Sequence, residues 1–302
     1  MRSLVVGYGS IGARHARILQ ELGCPVAIVS RHAVGEGFYK SLPQALAEHR
    51  PEYVVVATPT AEHAITLESL AHHGFDGWVL VEKPLFDSLR TPPQAGFKGL
   101  FVGYNLRFHP VLCALRERIA DARVVSAQVY VGQYLPHWRP GTDYRQSYSA
   151  SRQAGGGVLR DLSHELDYVY WIFGRWQRLA ASGGHLSALE ISSDDVFSIL
   201  MNCDRCAVLS LSLNYLDTVH QRHLTVNLDG HTLIADLIRG TLQHDADVTT
   251  FSLGRDDTYV SQHQAMLAGR HHELCSLEDG LETLHTIESA ERCAATHSWI
   301  GR

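Results

Sequence analysis

The first thirty residues constrain this chain most. Ser3-Leu4-Val5-Val6 is a short apolar run, and Gly7-Tyr8-Gly9-Ser10-Ile11-Gly12 follows at once. Residues 13–22 then carry a helical pattern, and Val26-Ala27-Ile28-Val29 ends at Ser30-Arg31. Strand, Gly-x-Gly-x-x-Gly turn, helix and strand in that order describe a βαβ unit that binds a dinucleotide. Gly7 permits the tight turn, Gly9 lets backbone approach a pyrophosphate, and Gly12 lets the helix pack closely on the strand. The diphosphate then sits on unpaired N–H groups at the positive end of the helix dipole, beside Ser10 and Ile11.

The end of the second strand bears on which dinucleotide. An NAD site usually carries Asp or Glu about 20 residues beyond the glycines, on the ribose 2′-OH. Here Ser30-Arg31 stands in that place, and the next acidic residue is Glu36. Serine can donate to a phosphate, and arginine can stack on adenine while neutralising a 2′-phosphate. The expected coenzyme is NADP(H), with NAD as the alternative; the plain reading of Arg31 is a solvent-facing loop residue.

Alternation of strand and helix continues with a helix over 41–49, the apolar strand Tyr53-Val54-Val55-Val56-Ala57 and the turn Thr58-Pro59-Thr60. A helix over 61–73 follows, with Thr60 as its cap and Gly74 as its stop. Trp78-Val79-Leu80-Val81 runs into Glu82-Lys83-Pro84, and Leu100-Phe101-Val102-Gly103 into Tyr104-Asn105. Ligands of such sheets bind outside the carboxyl ends of the strands, where Thr58, Glu82, Lys83 and Asn105 fall. After about residue 120 the period changes to two. Ala207, Leu209, Leu211, Leu213 and Tyr215 share one face of a strand, and Asp229-Gly230 marks a hairpin. The fold class expected is α/β: a Rossmann domain over residues 1–118, then an α+β domain over 119–302 with an open, mostly antiparallel sheet. Two helices, over 257–267 and 277–294, close the chain.

Composition excludes several classes. With 302 residues, 45% hydrophobic and 19% charged, the chain reads as a globular protein of two domains. A formal charge of −6 argues against nucleic acid, and no run approaches a membrane span. An opening strand and six scattered cysteines lead to the expectation of no secretory leader and a reduced, cytoplasmic setting. Cys203-Asp204-Arg205-Cys206 is one pair and reads as a hairpin turn, not a zinc site. Nineteen histidines form no evident ligand set, so no metal is expected, and His271-His272 reads as surface.

At Glu82-Lys83-Pro84 a resemblance becomes specific. That tripeptide, the glycine turn with His15 three residues beyond Gly12, and Gly155-Gly156-Gly157-Val158-Leu159-Arg160-Asp161-Leu162-Ser163-His164 resemble the Gfo/Idh/MocA oxidoreductases over essentially the whole chain. The resemblance implies hydride transfer between NAD(P) and a carbon of a sugar, cyclitol or sugar nucleotide. It also implies a homodimer or homotetramer joined through the C-terminal sheet. By the resemblance Lys83 would sit beside the nicotinamide and the substrate hydroxyl, with Asp161 and His164 facing it from the second domain. The family usually spaces that aspartate and histidine four apart; here they are three apart, which still leaves both on one helical face. The plain reading of Asp161, His164 and Asp167 is a solvated polar stripe opposite Leu159, Leu162, Leu166, Val169 and Phe173.

The coenzyme contacts expected are Gly7, Gly9, Ser10, Ile11, Gly12, Ser30, Arg31, Thr58, Pro59, His63, Glu82 and Lys83. Between Tyr134 and Arg152 lies a loop dense in rings and arginines, including Trp138, Arg139, Tyr144 and Tyr148. Aromatic faces suit sugar rings and arginine forks suit carboxylate or phosphate. Its wording resembles a branch found with surface-glycan or nonulosonic-acid synthesis; a loop that merely buttresses the domains is the alternative. Substrate contacts expected are Asn105, those four loop residues, Asp161 and His164. Free histidine titrates near 6.5 and lysine near 10.4, so His164 is assigned as acid/base, steered by Asp161, and Lys83 as the cation on the reacting oxygen. A non-catalytic dinucleotide sensor and a reductase of a non-sugar carbonyl or imine are the other classes compatible with the fold.

Overall fold

A computed structural model describes residues 1–32 and 35–302. Its first sheet is built from β1 (Ser3–Val6), β2 (Val26–Val29), β3 (Phe38–Tyr39), β4 (Tyr53–Val56), β5 (Trp78–Val81) and β6 (Gly99–Val102). Every residue of β1 and β4 is buried, which is why those segments are unbroken apolar runs. The strands stand in the order β6-β5-β4-β1-β2-β3, all parallel, and Cys275–Ser276 adds an antiparallel edge to β6. The order reverses between β4 and β1, and at such a switch point the carboxyl ends of the strands leave a ligand crevice.

The helices, in chain order, are α1 (Ser10–Glu21), α2 (Leu42–His49), α3 (His63–His72), α4 (Pro110–Arg118), α5 (Val158–Asp161), α6 (Ser163–Phe173), α7 (Asp257–Leu267) and α8 (Leu277–Thr296). Ser41 caps α2 by accepting from Gln44 N–H at 3.4 Å, with a proline in the first turn. The α3 start differs from expectation. Thr60–Glu62 forms a 3₁₀ turn first, so Glu62 holds the cap position and Thr60 caps nothing.

The second sheet contains β7 (Val124–Gly132), β8 (Trp176–Gly184), β9 (Val196–Cys203), β10 (Cys206–Asn214), β11 (Gln221–Leu228), β12 (Thr232–Asp236), β13 (Thr241–His244) and β14 (Asp247–Thr250). Their order is β14-β13-β12-β11-β7-β10-β9-β8, with Ile300–Gly301 beyond β8; β7 and β10 are the one parallel pair. Leu209, Leu211 and Leu213 are buried, whereas Leu200 and Val208 on the outer face are 42% and 49% exposed. The expected alternation fails at Ala207, because the register shifts between Cys206 and Leu209 and leaves Cys206 inside and Ala207 out. Asp204 and Arg205 form the turn between β9 and β10, so the Cys-x-x-Cys does straddle a hairpin. Burial pushes the two thiols up, to about 12 for Cys203 and about 11 for Cys206.

Contacts divide the chain into Met1–Asn105 with Asp256–Leu284, and Leu106–Arg255 with His285–Arg302. This differs from a single break at residue 118 for two reasons. α4 packs on β12 and β13, and α7 returns to the first sheet, where His263 bonds to His15 and Tyr53. His271 likewise packs inward on the Trp78 ring at 3.8 Å between centroids. Among the described residues no helix is long and apolar enough to cross a membrane.

Candidate active site

The chain leaves β1 at Gly7, where φ is +97°. A Cβ there would lie 2.5 Å from the Ala57 carbonyl oxygen, and one on Gly12 only 2.1 Å from that of Gly7. Both positions are closed by the fold itself. Gly9 is different: nothing lies within 4 Å of its Cβ position, so the open side there admits a ligand. α1 begins beside it with no acidic residue and no side-chain cap in its first turn. The first N–H groups of a helix have no carbonyl partner within it, and an approaching anion can take them. This cradle fits a dinucleotide diphosphate.

Around the cradle the expected contacts divide. Ser30 is buried, its Oγ accepting from His32 N–H at 3.3 Å, while Arg31 is 71% exposed with Nη2 3.4 Å from Glu62 Oε1. Thr58 Oγ1 is buried with no hydrogen-bond partner among the described residues, a handle that a bound ligand can satisfy. Pro59 is exposed. His63, expected as a coenzyme contact, is only 1% exposed. Its Nε2 lies 3.0 Å from Thr58 O and its Nδ1 3.1 Å from Leu85 O, so it ties two loops together. Burial holds its imidazole below the usual value.

β5 delivers Glu82 and Lys83. Glu82 turns inward: Oε1 lies 2.8 Å from His15 Nε2, and Oε2 accepts the Lys83 N–H at 3.2 Å. Behind it His15 Nδ1 stands 2.8 Å from His263 Nε2, and His263 Nδ1 3.1 Å from Tyr53 OH. All four side chains are buried. One proton assignment satisfies every contact. Tyr53 O–H donates to His263 Nδ1, His263 Nε2–H to His15 Nδ1, and His15 Nε2–H to the Glu82 carboxylate. Burial, then the nearby His15, holds His263 well below its usual value, and burial pushes Tyr53 well above its own. Glu82 is therefore the end of a buried chain that holds the Lys83 backbone. Lys83 itself is half-buried. Asn105, expected to meet substrate, is 4% exposed and donates through Nδ2 to Thr258 Oγ1 at 2.6 Å.

In the second unit Asp194 starts α5. Its carbonyl accepts the Val158 N–H at 3.0 Å and its Oδ2 the Leu159 N–H at 3.0 Å. α5 ends at Asp161, Leu162 (φ −96°, ψ 28°) breaks the helix, and α6 restarts at Ser163. Asp161, His164 and Asp167 therefore share no continuous stripe. Asp161 accepts from Tyr148 OH at 2.5 Å and from Tyr215 OH at 2.6 Å. Burial, and after it the Asp161 charge, pushes both phenols well above their ordinary value, so they remain donors. His164 lies half-buried in the first turn of α6. Asp167 is buried in a forked pair with Arg107, Nη2 to Oδ1 at 2.7 Å and Nε to Oδ2 at 3.0 Å.

The segment from Tyr134 to Arg152 is organised by three 3₁₀ turns, Leu135–His137, Tyr144–Gln146 and Tyr148–Ala150. Trp138 meets Tyr215 edge to face at 5.1 Å, and the Arg139 guanidinium lies 5.9 Å from the Tyr148 ring centre. Tyr215 thus joins Trp138 to Asp161, and Tyr148 joins Arg139 to the same carboxylate. Tyr144 departs from them; its hydroxyl accepts from Glu190 N–H at 3.2 Å. Tyr215 was legible only as an inward-facing strand residue, and Asp194 and Arg107 carried no periodic signal at all.

A switch-point crevice with a glycine cradle, followed by a separate sheet-bearing unit, defines a two-domain, dinucleotide-binding oxidoreductase fold. Residues 1–92 match the model described as "Oxidoreductase family, NAD-binding Rossmann fold", and residues 114–233 match that of the GFO/IDH/MocA C-terminal domain. The chain belongs to the Gfo/Idh/MocA oxidoreductase family. Inositol 2-dehydrogenase of Rhizobium meliloti is 30% identical over 130 residues, which are 40% of this chain and 36% of that protein. An oxidoreductase of Synechocystis is 27% identical over 153 residues, 48% of this chain and 40% of that one. The match thus spans well under two thirds of these relatives' length. Among solved structures, GenD2 from gentamicin A biosynthesis in complex with NAD is 25% identical, with a TM-score of 0.79 over 100% of this chain and 96% of that one. The WlbA dehydrogenase from Bordetella pertussis, in complex with NADH and UDP-GlcNAcA, shares the fold at 18% identity and a TM-score of 0.81, covering 100% and 97%.

Proposed function

We propose that the chain is an NADP(H)-preferring oxidoreductase that moves a hydride between the nicotinamide and a hydroxyl-bearing carbon of a sugar-like substrate. The substrate is anionic or nucleotide-linked, of the kind consumed in surface-glycan or nonulosonic-acid synthesis. The observation that carries this reading is the set of contacts that links Trp138 through Tyr215, and Arg139 through Tyr148, to the Asp161 carboxylate. The exposed Arg139 guanidinium can meet an anion, and the Trp138 and Tyr148 rings can pack on a sugar. NADPH in place of the NAD and NADH of the solved relatives is supported by Ser30 and Arg31 at the end of β2.

A bound nicotinamide would supply the hydride acceptor or donor. His164 takes or gives the hydroxyl proton, and Lys83 places a cation on the reacting oxygen. Asp161, held by two phenols, favours the protonated state of a neighbouring imidazole by charge. Copies associate through the outer face of the second sheet, which displays Leu200, Val208 and Trp299 and holds a cleft of about 400 Å³ lined in part by Leu200 and Trp299. An exposed apolar face of that kind marks an interaction surface. Light scattering should report a dimer or tetramer.

The decisive assay follows NADP⁺ and NAD⁺ reduction with three substrates: a UDP-linked uronic acid, its neutral UDP-sugar and a free cyclitol. Turnover highest on the anionic nucleotide sugar is expected, with KM rising in Trp138→Ala and Arg139→Ala while coenzyme affinity holds. Equal turnover of the cyclitol would remove the anionic assignment.

A further inference from the structure

The turn before β12 and the turn after β13 come together at one end of the second sheet. His231 immediately precedes β12, His244 closes β13, and Asp245 follows it with φ +52°. Pairing of Leu233 with His244 sets the two segments side by side. Asp245 N–H donates to Thr232 O at 2.9 Å and Thr232 N–H donates to Asp245 Oδ1 at 2.9 Å, so the backbone is fastened across the strands. His231 Nδ1 lies 2.6 Å from Asp245 Oδ2, and the rings of His231 and His244 meet edge to face at 5.4 Å. One nitrogen of each histidine and one oxygen of Asp245 all fall within 4.8 Å of one another. His244 Nε2 is buried and has no hydrogen-bond partner among the described residues.

We propose that His231, His244 and Asp245 bind a divalent first-row transition cation of the zinc type, a role that none of the coenzyme or substrate residues shares. The donor set decides the class of ion. Two imidazoles and one carboxylate suit zinc, cobalt, nickel or copper, whereas magnesium and calcium take oxygen ligands throughout. Zinc sites place nitrogen and oxygen donors at about 2.0–2.2 Å, so His231 Nδ1 and Asp245 Oδ2, now 2.6 Å apart, must part slightly to admit the ion. The His231 and Asp245 side chains are 56% and 47% exposed and can do so by side-chain torsion alone. Binding expels the proton shared by His231 Nδ1 and Asp245, and the orphaned His244 nitrogen gains a partner. Three protein ligands leave the fourth tetrahedral position to a water molecule.

The test uses the full chain, stripped with chelator and desalted, then titrated with Zn²⁺ by calorimetry and with Co²⁺ as a spectroscopic probe. One equivalent per chain is expected, with the intense visible bands of tetrahedral Co²⁺ and a melting temperature raised by Zn²⁺. His231→Ala, His244→Ala and Asp245→Asn should each weaken binding at least tenfold and abolish the bands. Asp245→Asn retains an acceptor for Thr232 N–H and a residue type that tolerates positive φ, so it reports on the ligand and not on folding. Absence of saturable binding overturns the proposal, and so does binding that all three variants leave unchanged, since the cation then sits on other histidines or cysteines. An exposed His231–Asp245 hydrogen bond would then be the whole role of the cluster.

Discussion

His15 and Glu82, 67 residues apart in sequence, share a 2.8 Å hydrogen bond with 0% and 7% of their surfaces exposed. The bond joins the helix after the glycine turn to the residue before Lys83, and through His263 it reaches α7. Removing the neutral imidazole donor leaves the buried Glu82 carboxylate unsatisfied, which costs more than the ~1–3 kcal/mol of an unpaired neutral group. His15→Ala should therefore destabilise strongly. Tyr53→Phe only takes the terminal donor from His263 Nδ1, a loss of about 1–3 kcal/mol. Urea unfolding of the two variants should rank them in that order. A His15→Ala variant as stable as wild type would show that the chain is not wired as described.

A second expectation concerns acid. His109 caps α4 with its ring, Nδ1 accepting the Val111 N–H at 3.3 Å, which requires a neutral imidazole. Burial pushes it down to about 4, and His263 is held low by burial as well. In the unfolded chain both protonate near pH 6.5. Between about 6.5 and 4 the unfolded state therefore binds more protons, and stability falls as pH drops. At pH 5 the His109 contribution alone amounts to about 2 kcal/mol. Glu165 works with the opposite sign, because burial raises its carboxyl and its contribution declines as pH rises. His109→Asn keeps a capping side chain but loses the titration. Its unfolding free energy should change less between pH 7 and pH 5 than that of wild type.

The Arg31 pair with Glu62 is long, 3.4 Å, and exposed, so a 2′-phosphate can compete for the guanidinium at little expense. Each charge-assisted contact contributes about 1.5–3 kcal/mol, enough for a tenfold preference for NADPH over NADH. Arg31→Ala should erase most of that preference without changing the melting temperature, and Glu62→Gln should strengthen NADPH binding. Calorimetric titration of both coenzymes is the check; equal affinity in wild type ends the argument.

Periodicity made the fold largely legible. Val54, Val55 and Val56 read as a strand buried on both faces, and Leu209, Leu211 and Leu213 as one face of a half-buried strand, and the structure agrees. It could not reveal which partner a polar residue takes. His63 and Glu82 were expected as coenzyme contacts, and no sequence pattern showed that His63 Nε2 meets Thr58 O or that Glu82 meets His15. Asp161, His164 and Asp167 looked like one stripe because spacing alone does not show a helix break at Leu162. Tyr215, Arg107 and His263 come from distant segments, and only folding places them beside Asp161, Asp167 and His15. The grouping of His231, His244 and Asp245 was hidden for the same reason, since the strand register brings it about.

The last prediction concerns the proton. Oxidation of an alcohol removes a hydride from carbon and a proton from oxygen, so the protein must supply a base and stabilise a developing alkoxide. General acid–base catalysis contributes about 10²–10⁴-fold, and a group that stabilises an oxyanion about 10²–10³-fold. His164→Ala and Lys83→Ala should each lose kcat by those factors while NADPH still binds. Tyr215→Phe leaves the Asp161 carboxylate one donor short without touching His164 itself. It should lower kcat less than His164→Ala and move the pH at which the rate breaks. Wild type should show that break, and His164→Ala should lose it altogether. If His164→Ala keeps near-normal kcat and Lys83→Arg is inactive, lysine is the base and the assignment is reversed.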